Sequence, residues 1–283
     1  MARKPRVREP SGDGTAVHLR SVELKEPAES LPDRFPFSIR AVRALERLQF
    51  DTPVTFFVGE NGSGKSTLLE AMATNIGLPT VGSAAVRDDS TLADQRELGR
   101  ALRLTWNVRV RRGFFLRAED FFGFAKAIEQ LKAEIKRRTA EIEVEYADRS
   151  AHAKGLALGP LYASLHALQA SYGDGVDTQS HGEGFLELFR KRFVPGGIYL
   201  LDEPEAPLSP QSQLGFLALL KVMIQQESQF IIATHSPILL AFPNATIFSF
   251  DESPVAQVPF DRLDHVTITR DFLNNPEGFL RRL

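Results

Sequence analysis

The chain has 283 residues, a net charge of −2, 43% hydrophobic and 25% charged residues, and no cysteine. That length allows one large domain, or a domain with a sizeable insertion, of ordinary globular composition. The near-neutral charge gives no reason to expect nucleic acid or an anionic membrane as partner. The lack of cysteine excludes disulfides, thiolate metal sites and cysteine nucleophiles. No apolar run reaches the roughly 18 residues that a membrane span requires.

Residues 1–18 carry Pro, Gly and charge without a hydrophobic period and are expected to form a disordered leader. This basic stretch is not followed by an apolar core, so it is not read as a secretory signal, and a cytoplasmic protein is expected. Short apolar runs follow at 17–24 and 35–39. Most of the 21 phenylalanines are core filler, and Phe35 and Phe37 are expected in the core more than against a base. Residues 54–58 (VTFFV) are β-branched and aromatic and predict a buried strand. A glycine loop and a helix over 66–76 come next. Residues 78–89 read as loop, and 102–111 alternate apolar and polar as a half-exposed strand does. Residues 121–148 have helical spacing among many charges. The Gly-, Ala- and Ser-rich stretch 151–184 is expected to be loop with some helix. Helices are predicted over 184–193 and 211–226, and strands over 197–201, 230–234 and 245–250. Strands alternating with helices imply an α/β fold with a mostly parallel sheet covered on both faces. Residues 19–283 are expected to form one domain with a helical, variable insertion at about 78–179.

Two motifs carry chemistry. Gly59-Glu60-Asn61-Gly62-Ser63-Gly64-Lys65-Ser66-Thr67 matches the P-loop pattern G-x-x-x-x-G-K-[ST], between a predicted strand and a predicted helix. Glycines let successive N–H groups turn toward phosphate oxygens, and the helix places its positive end there. Lys65 is expected to reach the β- and γ-phosphates of ATP, and the Ser66 hydroxyl to ligate Mg²⁺. The second motif, Ile198-Tyr199-Leu200-Leu201-Asp202-Glu203-Pro204, is an apolar strand ending in acids. It brings carboxylates to the carboxyl edge of the sheet, where ligands bind. Asp202 is expected at the metal and Glu203 as the general base that polarises the attacking water. The acids are expected on a strand neighbouring that of the P-loop.

Taken together, Gly-Glu-Asn-Gly-Ser-Gly-Lys-Ser-Thr and Leu-Leu-Asp-Glu-Pro-Glu resemble the ABC ATPase superfamily, which includes transporter ATPases and the SMC and Rad-fifty type repair proteins. The resemblance spans most of residues 35–250 and implies an ABC-type core with an antiparallel β element. Ser180-His181-Gly182-Glu183-Gly184 stands where the signature loop L-S-G-G-Q belongs, although His181 and Glu183 depart from it. It implies that Ser180 and Gly182 cap the γ-phosphate bound by a second subunit. Glu205-Ala206-Pro207-Leu208-Ser209 falls in the D-loop position. Thr234-His235-Ser236 falls where the switch histidine belongs, so His235 would sense the γ-phosphate. Phe114-Phe115-Leu116-Arg117-Ala118-Glu119 follows what is taken as the middle strand, and Glu119 is the nearest candidate for the metal-approaching Q-loop side chain.

The chain is also similar to a group of short stand-alone ATPases of AAA or ABC type, through FVGENGSGKSTLLEA, FLRAE, SHGE, LLDEPEAPLSP and the tail His265–Pro276. The resemblance implies a Mg²⁺-dependent ATPase that dimerises on binding ATP. The alternatives are the nucleotide-binding subunit of a membrane transporter and an SMC-like repair or defence ATPase. An insertion with at most a 30-residue helix is too short for the coiled-coil arm of the latter. An unidentified protein partner, and nucleic acid, remain open.

Overall fold

A computed structural model describes residues 17–80, 92–172 and 181–281. Most of the expected leader therefore lies outside the described residues. Among those residues the strands are, in chain order, β1 (Leu19–Leu24), β2 (Leu48–Gln49), β3 (Val54–Val58), β4 (Leu102–Trp106), β5 (Gly113–Leu116), β6 (Ile198–Asp202), β7 (Gln229–Ala233), β8 (Thr246–Ser249) and β9 (Ala256–Gln257). The helices are α1 (Arg40–Arg43), α2 (Lys65–Ile76), α3 (Ala93–Ala101), α4 (Ala118–Glu145), α5 (Ala151–Tyr172), α6 (His181–Arg192), α7 (Pro210–Gln225), α8 (Pro237–Leu240), α9 (Asp264–Asn274) and α10 (Pro276–Leu280).

Six strands form one sheet in the order β5-β6-β7-β3-β8-β9, and only the β8–β9 pair is antiparallel. Every residue of β3, β6, β7 and β8 is buried, as in a parallel sheet covered on both faces. On one face Phe57, Leu200 and Ile231 pack with Leu69 and Met72 of α2. On the other, Phe56, Tyr199 and Ile232 meet Phe189 of α6, Phe216 and Leu220 of α7, and Leu239 of α8. The acid-tipped strand β6 is not next to β3: β7 stands between them. The strand before Arg117 is not central either, because β5 is the outermost of the described strands, bridged on its far side by Pro79 and Thr80.

A second, antiparallel sheet has the order β2-β1-β4. A buried side chain helps tie it to the main sheet. Gln229 Oε1 accepts the N–H groups of His18 (2.9 Å) and Leu19 (2.8 Å), and its Nε2 donates to Leu19 O (2.9 Å). The amide thus satisfies three backbone groups that burial would otherwise strand.

The stretch expected to be mostly loop over 151–184 is largely the 22-residue helix α5, which packs on α4 and α6. Gly155, Gly159 and Pro160 blur its helical pattern, and contact with the 28-residue α4 overrides their poor propensity. A short turn joins the two helices into a hairpin. Among the described residues no helix is long and apolar enough to cross a membrane.

Candidate functional site

Because β3, β6, β7 and β8 run parallel, their carboxyl ends reach one edge of the sheet. Gly59 follows β3, Asp202 ends β6, Thr234 and His235 follow β7, and Asp251 lies just beyond β8. The loop after β3 turns on glycines with positive φ, Gly59 at 144°, Gly62 at 83° and Gly64 at 104°. At Gly64 even a methyl group would come within 2.7 Å of Ile39 Cγ2, so the turn and the close approach both require glycine. Helix α2 starts directly from Gly64 with no side chain capping its first N–H groups, which presents its positive end at the loop.

Lys65 is buried, and its Nζ donates to the carbonyls of Gly59 (2.6 Å) and Glu60 (2.9 Å). Burial lowers its pKa from the ordinary lysine value, with Asp202, Glu203 and Asp251 acting the other way. Ser66 Oγ donates to Asp202 Oδ1 at 3.1 Å. Desolvation pushes the Asp202 carboxyl up to about 7. The Ser66 hydrogen bond opposes that rise, while the charges of Glu203 and Glu70 add to it. A hydroxyl and a buried carboxyl side by side are hard oxygen donors that fit Mg²⁺.

Glu203 takes the left-handed backbone region (φ 48°), costly for a residue with a side chain. Its N–H still donates to Ala233 O at 2.9 Å, so the turn is anchored to β7 while the carboxylate swings toward His235. Glu203 Oε1 lies 3.6 Å from His235 Nε2. The loop holding His235 is fixed by Glu205, whose Oε1 accepts the Thr234 hydroxyl (2.6 Å) and the His235 N–H (2.8 Å). Burial raises the Glu205 carboxyl above its usual range. Burial, and secondarily the charge of Lys65, lowers His235.

The fold thus gathers Lys65, Ser66, Asp202, Glu203 and His235 at one edge, with Gly59, Asn61, Gly62, Ser63 and Gly64 forming the loop and Thr67 in the first turn of α2. Glu119 lies in the first turn of α4, and the position of its side chain is outside the described residues, as is all of Ser180. Gly182 belongs to the first turn of α6. Phe37 is buried in the core, whereas Phe35 is 47% exposed.

Three features escaped sequence reasoning. Asp251 Oδ1 accepts the Glu60 N–H at 2.7 Å and so steadies the glycine loop. The signal available was its place just past the carboxyl end of a predicted parallel strand. His265, on α9, touches His235. Glu70 of α2 and Arg117, just before α4, form a buried ion pair at 2.7 Å. A cleft of about 760 Å³ opens beside the loop, between Ile39 and Arg40 on one side and Asp264, His265 and Ile268 on the other.

A family model described as "AAA domain" matches residues 38–80, the loop among them. A second, described as "AAA domain, putative AbiEii toxin, Type IV TA system", matches residues 89–241, more than half of the chain. No curated protein matches. Among solved structures, the chain is similar to a nucleotide-free ATP-binding cassette from an ABC transporter. That match has 15% identity and a TM-score of 0.42 and covers 93% of this chain and 99% of that one. The Smc head domain of Pyrococcus furiosus bound to the C-terminal domain of ScpA shows 12% identity and a TM-score of 0.40, over 90% and 99% of the two chains. The SMC head domain of Thermotoga maritima shows 14% identity and a TM-score of 0.40, over 86% and 99%. With a glycine loop, acid-tipped strand and parallel sheet of P-loop type on one edge, and a family model that spans residues 89–241, the chain belongs to the AAA-domain ATPase family of that description.

Proposed function

We propose that this chain binds and hydrolyses ATP with Mg²⁺, and that two copies close head to tail over the nucleotide and reopen after hydrolysis. The observation that carries the reading is the meeting of Ser66 with Asp202 at 3.1 Å, beside a buried Lys65 and the Glu203–His235 pair. In this reading the loop N–H groups and the start of α2 hold the phosphates, and Lys65 leaves its carbonyl partners to meet their charge. Ser66 and Asp202 would hold Mg²⁺, which supplies neutralisation of phosphate charge when bound. Glu203 takes a proton from the attacking water, and His235 donates a hydrogen bond to the γ-phosphate. Glu119 is a further candidate at the metal. Ser180 and Gly182 would meet the nucleotide held by the second copy, as the start of a helix suits an anion. The protein would work in the cytoplasm.

The test is the oligomeric state of Glu203→Gln, which keeps the site's shape while removing the base. Light scattering at saturating ATP and Mg²⁺ is expected to show a dimer that reverts to monomer with ADP. A monomer throughout would rule out the head-to-tail switch.

An SMC-like role on duplex DNA is the alternative, although the α4–α5 hairpin is short for the coiled-coil arm of that group. A gel shift on duplex DNA that weakens with salt would support that role.

A further inference from the structure

His265 lies on the C-terminal helix α9, outside every P-loop motif, yet its Nε2 stands 3.0 Å from His235 Nδ1, with ring centroids 5.1 Å apart. Two neutral imidazoles at that distance share one hydrogen bond, and the direction of that bond fixes which His235 nitrogen carries the proton. The other ring nitrogen settles the direction. His235 Nε2 is buried without a hydrogen-bond partner among the described residues, and the acceptor-only carboxylate of Glu203 lies 3.6 Å from it. A proton on Nε2 is attracted by that carboxylate, whereas a bare lone pair there would face it. Nδ1 is then the acceptor, and His265 must supply the N–H.

We infer that His265 is a positioning residue which, by donating from Nε2 to His235 Nδ1, holds His235 in the Nε2–H tautomer and aims that donor at the edge where Asp202, Glu203 and Lys65 meet. The groups that face the pair agree. Burial disfavours a second proton on His235 most, the charges of Lys65 and His265 also oppose one, and Glu203 and Asp251 favour one, so the balance lies toward the neutral ring. The backbone of His235 is pinned independently by Glu205, so the ring orientation is the freedom left for His265 to remove. Helix α9 is itself seated by Val266 and Leu263 in the core on the α8 side of the sheet, which makes the donor rigid.

This inference rests on the proposed ATPase reading, and the experiment separates the two. Steady-state ATP turnover, nucleotide affinity and thermal melting are measured for wild type, His235→Ala, His265→Ala and His265→Gln. The glutamine amide can donate from about the place of Nε2. His265→Ala is expected to lower kcat about 10- to 100-fold with KM and melting temperature little changed, and His265→Gln to recover most of that loss. Nitrogen-15 NMR of nucleotide-free wild type is expected to show His235 protonated at Nε2, and His265→Ala a mixture of tautomers. Unchanged kcat in His265→Ala, or His235 protonated at Nδ1 in wild type, would overturn the inference. Absence of ATP turnover in wild type would instead count against the ATPase reading, while the tautomer measurement still judges the role of His265.

Discussion

Ser66 and Asp202 stand 136 positions apart in sequence and meet at 3.1 Å, hydroxyl to carboxylate, across the carboxyl edge of the sheet. Strand β7 lies between β6, which ends in Asp202, and β3, whose loop leads into the helix that carries Ser66, so the contact depends on the start of α2 leaning across β7 toward β6. That single distance links the glycine loop to the acid-tipped strand.

The Asp202 carboxyl makes the metal-free protein sensitive to pH. Its folded pKa, pushed up to about 7 by burial, exceeds the 3.8 of an exposed aspartate, so the folded state holds the proton more tightly than the unfolded chain. Stability from this group is fully present below the unfolded value. It falls as pH rises from about 4 to about 7, by a few kcal/mol at the order-of-magnitude level. Asp202→Asn is therefore expected to raise the melting temperature of metal-free protein at pH 8 and to matter little at pH 4. Melting curves of both proteins across that range check the sign, and a larger gain at acid pH would be the wrong direction.

Glu203 owes its position to a strained backbone turn (φ 48°) held by Ala233 O. Glu203→Gln keeps that geometry, so nucleotide affinity is expected to stay near wild type while turnover drops about 10²–10⁴-fold, the worth of a positioned general base. Single-turnover kinetics with radiolabelled ATP measure this, and full activity would move the base elsewhere.

Arg117 and Glu70 form a pair with side chains only 8% and 10% exposed, linking the segment just before α4 to the P-loop helix. Arg117→Ala leaves a buried carboxylate without that partner and is expected to cost about 3–5 kcal/mol. Arg117→Ala/Glu70→Ala removes both charges and is expected to recover part of the loss. Urea unfolding of the two variants measures the difference.

The sequence made the α/β class, the loop, the acid-tipped strand and the helices flanking them legible, because each rests on a local pattern: β-branched runs, glycine spacing, helical period. The inserted region was less legible. Pro160 and two glycines made α5 look like loop, and only its contacts with α4 and α6 explain the helix. Strand order was out of reach too, since nothing local in 229–233 says that this strand inserts between β3 and β6. His265 was missed as a site neighbour for the same reason, and Asp251 was signalled only by its place just past a predicted parallel strand. Each acts through one long-range contact that leaves no periodic trace, and His265 was visible only as part of the similar tail.

Gly64 offers a backbone test of the loop. Its φ of 104° and the 2.7 Å approach of Ile39 Cγ2 to any Cβ both oppose a side chain. Gly64→Ala is expected to destabilise the fold by about 1–3 kcal/mol and to abolish nucleotide binding. Thermal melting with and without ATP reads both effects, and an unchanged ligand-induced shift would contradict this picture of the loop.

The most direct measurement is calorimetric titration of ATP with Mg²⁺ into wild type and Lys65→Ala. The account predicts saturable one-site binding to wild type and a loss of at least about tenfold in affinity in the variant, whose pocket lacks the one buried cation among the described residues of the loop. Equal affinity in the two proteins would contradict it.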